Sequence, residues 1–247
     1  MYLDFTSAKV TNCLFHGNVS QVISGTPFAT IELHGGMPVL TNCTITGNTA
    51  CSGLAAILLS VEPSASIKNC VLWGNAPQEI LVPAGETDYT QVTYSDVTGG
   101  HAGAGNINSN PLFVNVVGHD FNLSSGSPCI DSADNTAVPP GITVDLAGLP
   151  RFVNDPATAD TGVGPPPVVD MGAYEYQAVM TLGDMNCDGA VNVSDITFLV
   201  LALLDPLGYV QQYPDCEILH GDMNGDGEVN GGDIGLFVTC LLGGGCP

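Results

Sequence analysis

The chain has 247 residues, with 25 Asp+Glu against 3 Lys+Arg and a formal net charge of −22. That balance excludes nucleic acid and an anionic membrane surface as partners, because Lys9, Lys68 and Arg151 are too few and too scattered to build a basic stripe. At 45% hydrophobic the chain still has the apolar content for a packed core, and 31 Gly with only 11% charged residues favour a turn-rich β protein. Nine cysteines point to an oxidising compartment, and the odd count leaves at least one thiol unpaired or bonded to another chain. The start, Met1-Tyr2-Leu3-Asp4-Phe5, lacks the basic and apolar regions of a secretion signal. An extracellular or cell-surface protein is therefore expected, its signal removed or carried by a longer parent. The longest apolar run, Ile196 to Leu204, is broken by Thr197 and falls short of the about 20 residues that span a bilayer.

In chain order, the first feature is a repeat. Val10-Thr11-Asn12-Cys13-Leu14-Phe15-His16-Gly17-Asn18 returns as Leu40-Thr41-Asn42-Cys43-Thr44-Ile45-Thr46-Gly47-Asn48 and as Ile67-Lys68-Asn69-Cys70-Val71-Leu72-Trp73-Gly74-Asn75. A degraded fourth copy is Val92-Thr93-Tyr94-Ser95-Asp96-Val97-Thr98-Gly99-Gly100, so the spacings are 30, 27 and 25 residues, one solenoid coil each. An apolar residue, a small Cys or Ser and a second apolar residue recur in every copy. Asn12, Asn42 and Asn69 interrupt the alternation as residues in a left-handed bend do, with amides able to bond from coil to coil. The pattern predicts a mainly β chain built on a right-handed parallel β-helix. Stacked Cys13, Cys43 and Cys70 read as an internal ladder of small hydrophobes, with a soft-metal site as the alternative. His16, His34, His101 and His119 share no spacing and read as surface residues.

Residues 101–176 carry no clean repeat but contain distinct phrases: Asn110-Pro111-Leu112-Phe113-Val114, Ser127-Pro128-Cys129-Ile130-Asp131, Asp145-Leu146-Ala147-Gly148-Leu149-Pro150-Arg151 and Asp170-Met171-Gly172-Ala173-Tyr174-Glu175-Tyr176. Together with the coil motif, these resemble bacterial surface proteins in which a parallel β-helix ends in a choice-of-anchor Q domain. The resemblance covers residues 1–176 and implies a displayed solenoid followed by an interchangeable anchoring module, with no established reaction. On physical grounds this region must close the last coil, whose backbone groups would otherwise stay unpaired. Arg151, the single arginine, is expected to pin the closure through a carboxylate such as Asp145 or Asp170; the alternative is a catalytic base.

Two matching loops follow a linker expected at 177–180. Asp184, Asn186, Asp188, Asn192 and Asp195 place side-chain oxygens at positions 1, 3, 5, 9 and 12 of an EF-hand-type calcium loop, with Gly189 at the sharp turn and the Ala190 carbonyl at position 7. The pattern returns after 38 residues as Asp222, Asn224, Asp226, Asn230 and Asp233, with Gly227 at the turn and Glu228 at position 7. Two Ca2+ ions are expected. Position 12 is Asp rather than the bidentate Glu, and no convincing helix precedes either loop, since Pro214 and Gly221 crowd the second. Helices should follow, with Ile196, Leu199, Val200 and Leu203 on one face mirrored by Ile234, Phe237, Val238 and Leu241.

This loop–helix unit, twice over, resembles a type I dockerin domain covering residues 181–247. The resemblance implies docking to a cohesin-type partner, although loop positions 10 and 11 hold Val193-Ser194 and Gly231-Gly232 where basic side chains are frequent, and residues 177–247 contain no Lys or Arg. By position, Cys187 with Cys216 and Cys240 with Cys246 are candidate disulfides, but sequence alone does not set connectivity.

Parallel β-helices also host polysaccharide lyases and glycoside hydrolases, whose chemistry needs paired carboxylates or a base beside a bound uronate. The repeats place only Asp96 and Lys68 at aligned positions, so a non-catalytic, glycan-associated or adhesive module is the leading expectation. A polysaccharide-degrading enzyme and a subunit of an extracellular assembly are the alternatives. The first coil should also leave strand edges that fray, self-associate or are normally preceded by more coils.

Overall fold

A computed structural model of the chain describes residues 1–20, 29–51, 53–177, 181–213, 216–243 and 246. The chain divides into two compact units, one of Met1–Val153 with Asp160–Gln177 and the other of Asn154–Ala159 with Ala178–Pro247. Of the expected linker, only Gln177 lies within the described residues, and Pro214 lies outside them.

The first unit is a parallel β-solenoid of about three turns. The first coil contributes β1 (Tyr2–Thr6), β2 (Lys9–Thr11) and β3 (Leu14–His16). The second has β4 (Ile31–Gly36), β5 (Val39–Thr41) and β6 (Thr44–Thr46), and the third β7 (Ile57–Ser60), β8 (Ser66–Lys68) and β9 (Val71–Trp73). The last has β10 (Ile80–Leu81), β11 (Gln91–Thr93) and β12 (Asp96–Val97). Three parallel sheets result, β1-β4-β7-β10, β2-β5-β8-β11 and β3-β6-β9-β12. Identical register stacks like on like: Leu3 on Leu33 on Leu59, Val10 on Leu40 on Ile67 on Val92, and Phe15 on Ile45 on Leu72 on Val97. These rows form the core, and each fully buried member contributes about 1.5–3 kcal/mol by leaving water.

The strands are short because the backbone must turn between faces. Asn12, Asn42 and Asn69 make one such corner at φ of 50°, 51° and 53°, and Tyr94 takes the same place at 48°. Asn tolerates the left-handed region better than most residues, which accounts for the expected bend. The continuous amide ladder lies elsewhere. It runs through Asn18, Asn48 and Asn75, six residues further on, with Asn18 Nδ2 to Asn48 Oδ1 and Asn48 Nδ2 to Asn75 Oδ1 both at 2.8 Å.

The corner asparagines are turned to the closing segment instead. Asn12 Nδ2 donates to the Val144 carbonyl at 2.8 Å, and Asn69 exchanges two bonds with the Asp134 main chain. With its amide oxygen facing the guanidinium, Asn42 accepts from Arg151 Nη2 and Nε at 2.9 and 3.0 Å. The closing segment thus runs back along the solenoid corner as well as over its end. Gly172 N donates to Asn69 O and Ala173 N to Thr44 Oγ1, an approach so close that a Cβ on Gly172 would meet Thr44 Oγ1 at 2.9 Å. Beyond the solenoid, this region is largely irregular, with an antiparallel pair β13 (Phe113–Asn115) and β14 (Asp120–Leu123) and a 3-10 turn at Asn135–Ala137.

The second unit has α1 (Asp195–Leu204), α2 (Pro206–Gln212) and α3 (Ile234–Leu241). Its core joins equivalent residues of the two sequence copies: Met185 with Met223, Leu199 with Phe237 and Ala202 with Cys240. The expected helix faces hold in part, with Leu203 and Leu241 packed partly buried against this core. Leu199 and Phe237 point inward, but Ile196, Val200, Ile234 and Val238 are 42–46% exposed, because the inward face is rotated toward Ala202 and Cys240. The space between the copies is filled by α2, whose Tyr209 is fully buried and donates to the Met185 carbonyl at 2.8 Å.

Candidate functional site

The two loops of the second unit repeat the same carboxylate and amide caps, and the first adds a bond from Asn192 Nδ2 to the Ala190 carbonyl at 3.0 Å. In the first, Asp184 accepts from Asp188 N and Gly189 N, and Asp195 accepts from Asn186 N and Asn192 N. In the second, Asp222 accepts from Asp226 N and Gly227 N, and Asp233 from Asn224 N and Asn230 N. The oxygens of Asn186, Asp188 and Asn192 each cap the N–H two residues on, and Asn224, Asp226 and Asn230 do the same. Position 7, Ala190 and Glu228, is held by the second of these caps in each loop. The sequence template therefore folds each loop around its own carboxylates.

Burial gives this geometry its electrostatic meaning. Asp184, Asp195, Asp222 and Asp233 are at most 9% exposed, and residues 177–247 supply no Lys or Arg to balance them. Buried carboxylates without a cation are costly, and each oxygen retains lone pairs beyond those taken by N–H groups. An all-oxygen set of Asp, Asn and main-chain carbonyl suits a hard divalent cation. Among the described residues no group of three or more His, Cys, Asp or Glu side chains is placed to hold a metal ion.

Disulfides bind this unit: Cys187, inside the first loop, pairs with Cys216, and Cys240 with Cys246. The first joins the opening loop to the segment ahead of the second, where a 3-10 turn, Ile218–Gly221, directly precedes the loop. Outside the core, Ile196, Val200 and Leu204 line α1, and Ile234, Val238 and Leu242 line α3 and its cap at the same four-residue spacing. Each stripe is exposed, and each residue of one lies 38 positions from its counterpart.

In the first unit, Arg151 is fully buried. Its Nε lies 3.7 Å from Glu175 Oε2, and Nη2 donates to the carbonyls of Asp170 and Gly172. The ion pair thus involves Glu175, while Asp145 accepts from Glu175 N and Leu149 N, and Asp170 from Asp131 N and Tyr176 N. Burial, then repulsion from Asp170, pushes the Glu175 carboxyl well up despite Arg151. This cluster ties off backbone N–H groups that have no sheet to join.

Asp96 is likewise buried, accepting from Ser109 N at 3.1 Å and from Cys129 Sγ, and burial pushes its carboxyl up to about 6. The thiols of Cys13, Cys43 and Cys70 stack as expected, each donating to a main-chain carbonyl. His16 packs against His119 and Phe121, ring centroids 5.0 Å apart, linking the first coil to the β13–β14 pair.

One feature had no sequence motif. A groove of about 500 Å³ lies between the β6–β9 face and the segment around β13. Trp73, Leu112 and Phe113 supply its apolar surface, Thr46, Asn110 and Ser124 its neutral polar groups, and no acidic or basic side chain lines it. Comparison with protein-family models, with curated proteins and with solved structures finds no match.

Proposed function

We propose that the chain is an extracellular or surface-displayed, non-catalytic module. In this reading a right-handed parallel β-helix with a choice-of-anchor Q-like closure carries a type I dockerin-like tether at 181–247 that holds two calcium ions. The right hand follows from the strong preference of parallel crossovers. The observation that carries the proposal is the repeated capping pattern of two loops with four buried carboxylates, in a stretch, residues 177–247, without Lys or Arg. The ions would be held by Asp184, Asn186, Asp188, Ala190 O, Asn192 and Asp195, and by Asp222, Asn224, Asp226, Glu228 O, Asn230 and Asp233. Their role is to supply the positive charge that lets both loops remain closed. The duplicated exposed stripes on α1 and α3 support docking of a cohesin-like protein, since matched apolar stripes of this kind mark interaction surfaces.

The groove beside Trp73 supports association with a neutral glycan. An aromatic platform with hydroxyl and amide groups matches the alternating apolar faces and hydroxyls of a sugar, whereas a chain of charge −22 repels uronates. A degrading enzyme draws less support, because no acidic side chain lines this groove.

Isothermal titration of calcium into the intact chain tests the tether: two sites are expected, and Asp184→Ala should remove one and weaken the other. Two unaffected sites in that variant would overturn the ligand assignment. A glycan array paired with a reducing-end assay tests the groove. Binding without turnover, weakened at least about tenfold in Trp73→Ala, is expected; turnover would promote the enzyme.

A further inference from the structure

The two loops of the second unit carry the same side chains at positions 1, 3, 5, 9 and 12 but differ at position 4. In the second loop that position is Gly225 at φ of 73°, and a Cβ there would meet no atom within 4 Å, so glycine serves for its conformation and not for space. In the first loop the same position is Cys187, which makes the same left-handed turn at φ of 53°. A residue with a Cβ is disfavoured in that region by about five- to thirtyfold in an equilibrium. Position 6 shows no such difference, being Gly189 at 85° and Gly227 at 87°.

What holds Cys187 in its turn comes from outside the loop. Its sulfur is bonded to Cys216, 29 residues on, and Cys216 Sγ lies 3.6 Å from the Met185 carbonyl at loop position 2. Tyr209 of α2 donates to the same carbonyl at 2.8 Å. The segment between the two copies therefore braces the first loop on both residues that flank Asn186. The second loop contains no cysteine and has its glycine instead. Cys187 is half-buried, whereas Cys216 is 6% exposed, so Cys187 Sγ is the sulfur open to a reagent.

Resting on the two-calcium reading of these loops, we propose that the Cys187–Cys216 disulfide is a thiol-sensitive lock on the first calcium site alone. Bridged, it keeps Cys187 in the turn that closes the loop. Opened, it lets Cys187 relax out of the left-handed region, and the first loop loses affinity for calcium while the second keeps its own. The opening reagent is a dithiol. One of its thiolates attacks Cys187 Sγ, the S–S bond breaks with its electron pair on Cys216 Sγ, and that sulfur takes up a proton. The second thiolate attacks the reagent sulfur now joined to Cys187 and displaces Cys187 Sγ, which takes up the second proton. Two electrons and two protons pass to the bridge, and the reagent leaves as its own disulfide.

The test is isothermal titration of calcium into the full chain, with the amide signals of Gly189 and Gly227 in heteronuclear NMR reporting which loop fills, since these groups bond to Asp184 and Asp222. The oxidised parent chain should show two sites. In Cys216→Ala the first should weaken at least about tenfold and the second by less than about threefold. Dithiothreitol added to the parent should reproduce this split. Cys187→Gly combined with Cys216→Ala should regain the first site, because glycine takes the turn unaided, as Gly225 does. Dithiothreitol should leave that double variant unchanged, which controls for the Cys240–Cys246 bridge. Equal weakening of both sites, two unaltered sites in Cys216→Ala, or a double variant as weak as Cys216→Ala overturns the proposal with the calcium reading intact. An oxidised parent that takes up no calcium overturns the calcium reading itself, and the lock with it.

Discussion

The chain contains two repeats that solve the same problem in opposite ways. In the solenoid each copy is completed by the next: β5 pairs with β2 and β8, and Asn48 spans its neighbours on both sides. In the loop–helix unit each copy is completed by its one counterpart, Met185 by Met223 and Leu199 by Phe237 in a shared core. A translational repeat always leaves an end to be dealt with, and here Glu79 terminates the amide ladder after Asn75. A paired repeat leaves no end, but it also has little interior, so its buried acids must find compensation other than apolar burial. One region thus grows by adding coils, the other closes on its counterpart.

The largest expected effect separates the two regions by chelation. Removing divalent cations should abolish the cooperative unfolding of the second unit, seen as lost helical circular dichroism, and restoring calcium should recover it. The fluorescence of Trp73, the single tryptophan and a residue of β9, should report an unchanged solenoid transition. If both signals move together, the regions do not obey separate rules.

Within the solenoid, position in the ladder should set the cost of losing an amide. Asn48→Leu strands both Asn18 donors, takes the side-chain donor from Phe15 O and leaves Asn75 Oδ1 only the main-chain N–H, a loss of about 3–4 kcal/mol, whereas Asn18→Leu in the first coil should cost only about 1 kcal/mol. Urea titration followed by Trp73 fluorescence measures both. Equal losses would mean that the ladder is not the stabilising unit.

A smaller effect sharpens the role of buried acids. Burial raises the Asp96 carboxyl from 3.8 to about 6, so the folded chain holds this proton more tightly than the unfolded chain. Stability through Asp96 is then full below about pH 4, declines as pH rises, and reaches its floor above pH 6, a span of about 2–3 kcal/mol. Asp96→Asn keeps an acceptor for Ser109 N and removes the titration, so its advantage over the parent chain in denaturant unfolding should grow between pH 4 and pH 6 and then level off. A constant difference across that range would place the perturbation elsewhere.

Much of this architecture is legible in local sequence because it is locally enforced. The coil motif contains both the corner asparagine and the three core positions, so register follows from counting. The loops cap themselves within twelve residues, and Cys187 and Cys216 stand at the positions that spacing had singled out. What escaped depends on neighbours distant in the chain. Asn12, Asn42 and Asn69 looked like ladder residues, yet the closing segment, more than sixty residues away, captures two of them through Val144 and Asp134. The partner of Arg151 was open among several acids, and only the return of the chain past Gly172 selects Glu175. Apolar spacing could not orient α1 because the helix is apolar on its exposed stripe as well as its buried one. A usable signal for α2 was overlooked: Asp205-Pro206 is a capping residue followed by proline in the first turn, and Asp205 does accept from Gly208 N.

The thiol stack inside the solenoid has a chemical consequence. Only a thiolate attacks an alkylating reagent or a disulfide, and the Cys13 thiol is held protonated by its bond with Cys43 and by burial. Cys43, whose bond with Cys13 works the other way, is still held up by Cys70 and burial, and Cys129 is held up by burial and Asp96. Cys43, Cys70 and Cys129 are also fully enclosed. Three unpaired cysteines are therefore silent while the coils remain stacked and become reactive as the coils part. Timed alkylation, read residue by residue by mass spectrometry, turns this row into an internal clock for the order in which the turns separate.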